Sequence, residues 1–187
     1  MDRKIYQEQY DFELNQRNYL ASSVNVPIMA TTLVGGALSS MVLSFPYKIN
    51  SPSIIFGITA IFSTIFLMIS IYLIFRSFIG YEYQKLQPPS ALNKHYNDLL
   101  NWHKDNGGTE EDAKNDFDEY LYEKLGEAVE KNSNNNIERG NFLHMATIAI
   151  AIAMLFLALS GGLYVFAKFQ NEPEPYKVQI TGTVKMK

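Results

Sequence analysis

The sequence predicts an all-α integral membrane protein with three transmembrane helices, a small membrane-proximal helical domain and a possible β-strand at its C-terminal end. Three observations predict it. Residues 26–45, 54–75 and 142–167 are apolar runs without Asp, Glu, Lys or Arg. A hydrocarbon layer of about 30 Å takes roughly 20 residues of helix, so each run is long enough to cross it. Between the last two runs, residues 80–140 are hydrophilic, and from Tyr176 onward apolar and polar residues alternate.

Composition narrows the chemistry. There is no cysteine, which removes disulfides, thiolate metal sites and thiol catalysis. His95, His103 and His144 have no metal-ligand spacing, and no Gly-rich phosphate loop follows a strand. No metal, no cofactor and no enzymatic activity are therefore expected. Residues 80–140 carry thirteen acidic and seven basic side chains, a balance that repels a long polyanion and excludes general DNA or RNA coating.

The elements follow in order. Residues 1–25 read as an amphipathic helix: Tyr6, Tyr10 and Leu14 share a face by i, i+4 spacing, and Ile5, Phe12 and Tyr19 recur every seven. Its mixed charge suits packing on protein better than lying on anionic lipid. Residues 26–46 form transmembrane helix 1, expected to be retained as a span because no cleavable signal sequence is apparent. Thr32, Gly36 and Ser40 form a small-residue ridge there, and Thr31, Gly35 and Ser39 form a second beside it. Small residues let helices approach closely. The ridges serve either close packing within the bundle or, as candidate pore-lining residues, a weakly polar path.

Residues 53–79 form transmembrane helix 2, bulky and β-branched around most of its circumference, as a lipid-facing helix would be. Pro88 and Pro89 are expected to stop its continuation. The soluble helical domain, 80–140, holds one helix from about Ser90 to Lys104, a DNGG turn, and a second helix capped by Thr109 with Glu110, Glu111 and Asp112 in its first turn. Its His95, Tyr96, Trp102 and His103 read as a packing face, with base stacking the sharper alternative. NSNNN, Asn132 to Asn136, is expected to break the second helix. Residues 141–168 form transmembrane helix 3, with Ala149, Ala153 and Leu157 on one face. In the tail, 169–187, Val178, Ile180 and Val184 lie on one side of the alternating pattern. A strand there needs a partner, so these three are candidate oligomerisation residues.

Four cations share the side of the N-terminal helix and the soluble domain: Arg17, Arg76, Lys131 and Arg139. They are candidate ligands for a small anion, or ordinary cationic anchors at the membrane edge. Seven membrane-proximal cations on that side against five on the other put the N-terminus and residues 80–140 in the cytoplasm. Arg139 and His144 also form an R-x4-H pattern, which resembles the motif of HEPN-type ribonucleases but straddles the start of a membrane helix.

The stretch YDFELNQRNYLASSVNVPIMATTLVGGAL, a polar helix running through a VPI step into a small-residue span, resembles short multi-pass membrane effectors of bacterial antiphage defence. SLATT-type proteins are nearest in layout, and the resemblance covers residues 8–87. It implies a homo-oligomeric pore in the bacterial inner membrane, in contact with membrane lipids and gated by a nucleotide or oligonucleotide signal made by a partner enzyme. The alternative is a non-channel membrane adaptor that binds a soluble protein.

Overall fold

The computed structural model describes residues 3–48 and 51–170, and every regular element among them is a helix. The alternating stretch from Tyr176, with Val178, Ile180 and Val184, lies outside the described residues. The elements are α1 (Arg3–Ser23), α2 (Asn25–Ser44), α3 (Ser51–Phe78), α4 (Pro89–Asp105) and α5 (Glu110–Gln170). Three helices are long and apolar enough to cross a membrane: α1 and α2 taken as one, α3, and α5.

Helices α1 and α2 join almost without a break. Val24 keeps helical angles (φ −63°, ψ −27°), and Ile28 donates its backbone N–H to Val24 O at 3.2 Å. Pro27 has no N–H to give the Ser23 carbonyl, which accounts for the local interruption at the junction. The amphipathic face of α1 does pack on protein: Tyr10 is buried against Leu125 and Ala128 of α5, with Tyr6 and Leu14 beside it.

Two expectations about helix ends are corrected. Pro88 and Pro89 do not stop transmembrane helix 2; α3 has already ended at Phe78, and Gly80 turns the chain with φ +96°. The prolines instead start α4, Pro88 as its N-cap and Pro89 in the first turn, where no N–H is needed. Nor does NSNNN break a helix. Helix α5 runs unbroken for 61 residues, roughly 90 Å at 1.5 Å per residue, and fuses the soluble segment to the third span. The asparagine amides reach across to another segment and leave their own backbone in the helical ladder.

The DNGG turn forms as expected. Gly107 has φ +77°, and a Cβ on Gly108 would stand 2.5 Å from His103 Nδ1, so both positions require glycine. Thr109 caps α5 reciprocally: Asp112 donates its N–H to Thr109 Oγ1 at 3.2 Å, and Thr109 donates both its N–H and its hydroxyl to Asp112 Oδ2. Those two bonds hold the Asp112 carboxyl below its ordinary pKa.

The centre of the molecule is the antiparallel pair α3–α5. Along α3 the residues at every seventh position, Phe56, Ser63, Ser70 and Ser77, are fully buried. Along α5 the same spacing gives Leu125, Asn132, Arg139, Ala146, Ala153, Ser160 and Ala167, all buried. A seven-residue repeat is the signature of a left-handed helix pair, and small side chains on the seam bring the backbones close. Ser63 donates to the Ala153 carbonyl at 3.0 Å, and Ser160 to Thr59 Oγ1 at 2.8 Å. Transmembrane helix 2, bulky around most of its circumference, also supplies one side of the central seam. Its bulky majority faces outward, and Ser63, Ser70 and Ser77 face inward.

Candidate functional site

Below the spans, an extended strap, residues 79–88, crosses from the end of α3 to the start of α4. A lone extended chain has no neighbouring strand to satisfy its peptide groups. Side chains do it here. Asn132 accepts the Gln84 N–H at 2.8 Å and donates to the Gln84 carbonyl at 3.0 Å; Asn135 donates to the Glu82 carbonyl at 2.8 Å; Tyr10 Oη accepts the Leu86 N–H at 3.2 Å. Residues 82, 84 and 86 are alternate positions of an extended chain, which is why one edge meets all three partners.

Beside the strap lies a buried polar chain with one direction. Arg139 donates from Nε to the Ser77 carbonyl at 2.8 Å and from Nη1 to Tyr83 Oη at 2.8 Å. Tyr83 donates its hydroxyl to Asn136 Oδ1, and Asn136 Nδ2 donates to Glu13 Oε2 and to the Glu13 carbonyl, each at 2.8 Å. Gln9 Nε2 completes the Glu13 carboxylate at 2.9 Å. A buried cation and a buried carboxylate are thus joined through two neutral groups, each polarising the next. Ser77 lies in the last turn of α3, so the Arg139 guanidinium also meets a helix C-terminus, where a cation is favoured. Burial raises the Tyr81 hydroxyl above its ordinary pKa, with Glu138 adding to the effect, and the ring stands 5.9 Å from the Arg139 guanidinium.

The structure brings two of the four candidate cations to one ring and leaves the other two apart from it. Arg17 and Arg139 share one ring, with their guanidinium carbons 4.9 and 5.8 Å from the Tyr83 centroid. Arg76 lies over Phe142, and Lys131 is exposed. Arg139 is occupied by internal partners, whereas Arg17 forms no ion pair among the described residues. His144 is exposed and Arg139 buried, so the R-x4-H pattern does not bring its two side chains to one reaction site. No group of His, Asp and Glu able to hold a metal occurs among the described residues.

The aromatic face of α4 packs on α5. His95 sits 4.2 Å from Tyr120 and Tyr96 5.3 Å from Phe117, centroid to centroid, and His103 Nε2 is 2.9 Å from Asp116 Oδ2. Trp102 stays exposed near the tip. Between α4, the strap and α5 is a cavity of about 260 Å³ lined by Lys85, Leu92, Tyr120, Lys124 and Glu127. Lys124 donates to Glu127 at 2.8 Å, which raises the lysine pKa and lowers that of the carboxyl.

The candidate pore-lining residues lie on the least supported span. Thr32, Gly36, Ser39 and Ser40 are exposed, Thr31 and Gly35 half-buried, and a Cβ at Gly35 or Gly36 would meet no atom within 4 Å. Within one chain the Thr32, Gly36 and Ser40 ridge stays exposed, and the Thr31, Gly35 and Ser39 ridge is covered only in part. The residues missed by reading the sequence are Glu13, Asn132, Asn136 and the serine seam; the seven-residue spacing of Ser63, Ser70 and Ser77 was the available signal. No protein-family model, curated protein or solved structure matched this chain.

Proposed function

We propose that the chain is a homo-oligomeric membrane effector of bacterial antiphage defence. Its assembled spans conduct ions across the inner membrane, and its cytoplasmic helical domain keeps the path shut until a nucleotide or oligonucleotide signal binds. The observation that carries the reading is a stripe on the joined α1–α2 rod. Ile5, Phe12, Tyr19, Val26 and Leu33 recur every seven residues and are all exposed, from 49% at Ile5 to 72% at Leu33. Exposure of Val26 and Leu33 is expected of a residue facing lipid. Ile5, Phe12 and Tyr19 continue the same stripe on the polar helix that precedes the span, where no hydrocarbon covers them. A seven-residue apolar repeat on a helix fits a second helix, and another copy of the same rod offers the same repeat.

Assembly along this stripe sets the hydroxyl face of α2, with Thr32, Ser39 and Ser40, beside the contact and toward a shared axis. Helix α5 supports the gating part of the reading. It passes from the α4–α5 head into the third span without a joint, so a ligand in the cavity beside Lys85 and Lys124 bears on the spans through one rigid element. Gating requires that this ligand bind the open and shut states unequally.

Ion flux across liposomes holding the purified chain, with the mass of its detergent complex, tests the proposal. A high-order assembly with flux, spontaneous or triggered by added nucleotide, is expected. The adaptor reading is favoured by exposed Trp102 among the acidic residues of the head, a surface suited to a soluble protein partner; a silent monomer would put that reading first.

A further inference from the structure

A second feature of α2 points to a ligand of a different kind. Between α2 and α3 a groove of about 660 Å³ opens sideways, walled by Val24, Ile28 and Gly35 on one side and Ile71, Phe75 and Phe78 on the other. Both walls belong to helices long and apolar enough to cross a membrane, so its open side faces acyl chains and not water. The volume lies within the range of about 300–1,000 Å³ typical of small-molecule sites. Gly35 and Gly36 make the groove: α2 packs on α3 through Val34 and Leu38, but at these two positions it sends no side chain toward α3.

One end of this groove carries charge. Arg17, Ala21, Val24, Ile28, Thr31 and Gly35 follow one another along a single helical ridge, because the α1–α2 junction keeps helical geometry. Arg17 is therefore one turn beyond the groove residue Ala21, toward the strap. Its guanidinium rests 4.9 Å from the Tyr83 centroid, is half-buried, and has no carboxylate partner among the described residues. Asn25, a groove residue, adds a polar group at the same end.

The geometry points to a bound anionic glycerophospholipid, with one acyl chain in the α2–α3 groove and the headgroup phosphate on Arg17. An apolar slot inside the membrane ending at an unpaired cation at the interface complements that amphiphile, and neither half alone specifies it. A zwitterionic lipid with the same chains fills the slot but neutralises Arg17 less well. The site lies within one chain, so it stands whether or not the assembled spans conduct.

The test uses the full chain in nanodiscs containing equal parts of palmitoyl-oleoyl phosphatidylglycerol and palmitoyl-oleoyl phosphatidylcholine, transferred to mild detergent for native mass spectrometry. Preferential retention of phosphatidylglycerol, one per chain, is expected. Arg17→Gln should reduce that preference about tenfold, the loss of one charge-assisted contact, and Arg17→Lys should keep most of it. Gly35→Leu, which fills the slot at a position where the fold has room, should lower retention of both lipids. Thermal melts of each variant separate unfolding from loss of binding. Equal retention of the two lipids by the parent chain, or an unchanged preference in Arg17→Gln, overturns the headgroup assignment. Unchanged retention in Gly35→Leu overturns the groove, and a changed assembly mass with unchanged retention assigns it to a second copy of the chain instead.

Discussion

Small residues line two surfaces of this molecule, and they do opposite things. On the α3–α5 seam, Ser63 and Ser70 are fully buried, as are Ala146, Ala153 and Ser160 of the facing helix. On α2, Thr32, Gly36 and Ser40 are exposed. The α2 ridge is the denser in small residues and the easier to see, yet within one chain it stays exposed. The difference lies in register. Two helices each carrying small residues every seven positions present facing seams along their whole length, whereas the α2 ridges have no counterpart on α3 or α5. Small residues permit close approach; a matching repeat on a second helix is needed to use it.

Substitutions can break this comparison, and the largest effect is expected where the seam leaves the membrane. Arg139→Ala removes the guanidinium shared by Ser77 and Tyr83 and leaves Glu13 without its distant counter-charge. A loss of roughly 3–5 kcal/mol, the usual cost of removing one member of a buried charge pair, is expected. Melting in detergent measures it, and hydrogen exchange at residues 82–86 should rise with it.

Next comes Ala153→Leu, which forces a side chain between two backbones in contact. About 2 kcal/mol of destabilisation is expected from overpacking, together with loss of the Ser63 hydrogen bond. A stability equal to the parent would mean that the seam is looser than the burial of Ala153 implies.

A smaller effect belongs to the cap of α5. The folded Asp112 pKa lies below the ordinary value of 3.8, so its contribution is present above that value and is lost as pH falls through the folded one. Thr109→Ala removes the hydroxyl bond, the larger cause of the shift, and leaves the backbone N–H bond to Asp112 in place. The variant should lose less stability than the parent between neutral pH and the acid side of 3.8, as read from paired melts.

The smallest effect sharpens the contrast. Gly36→Leu on the open face should change the stability of the isolated chain by less than about 0.5 kcal/mol. Phe12→Ser should likewise leave the fold intact while lowering the mass of the assembly. A large loss of stability in both would show that the α1–α2 face is already covered within one chain.

Much of this was legible in the sequence. The three spans followed from charge-free runs, and the packing of Tyr10 from its spacing with Tyr6 and Leu14. The turn at Gly107 and the cap at Thr109 followed from local chemistry. The polar lock was not legible. Asn132 meets Gln84 across 48 residues, and Arg139 meets the Ser77 carbonyl across 62. Both bonds go to peptide groups, which every residue has, so nothing in the sequence of the receiving segment marks it. The same amides that favour turns when they bond their own backbone leave a helix undisturbed when they bond another's. Span two was legible in part: its bulky majority faces outward as its composition implies, while only the spacing of Ser63, Ser70 and Ser77 marks its buried seam.

The grip on the strap has an evolutionary consequence. Asn132 and Asn135 hold residues 82 and 84 by their peptide groups, a grip that does not depend on which side chains those positions carry. Neighbouring Lys85 and Gln87 border the cavity beside α4. Mutation can therefore change these two side chains of the cavity wall while the main chain stays anchored, provided the asparagines persist and no proline removes the Gln84 N–H. Lys85 and Gln87 can vary in this way, whereas Tyr83, bonded to Arg139 and Asn136, and Leu86, packed beside Tyr10, tie the same stretch to the rest of the molecule.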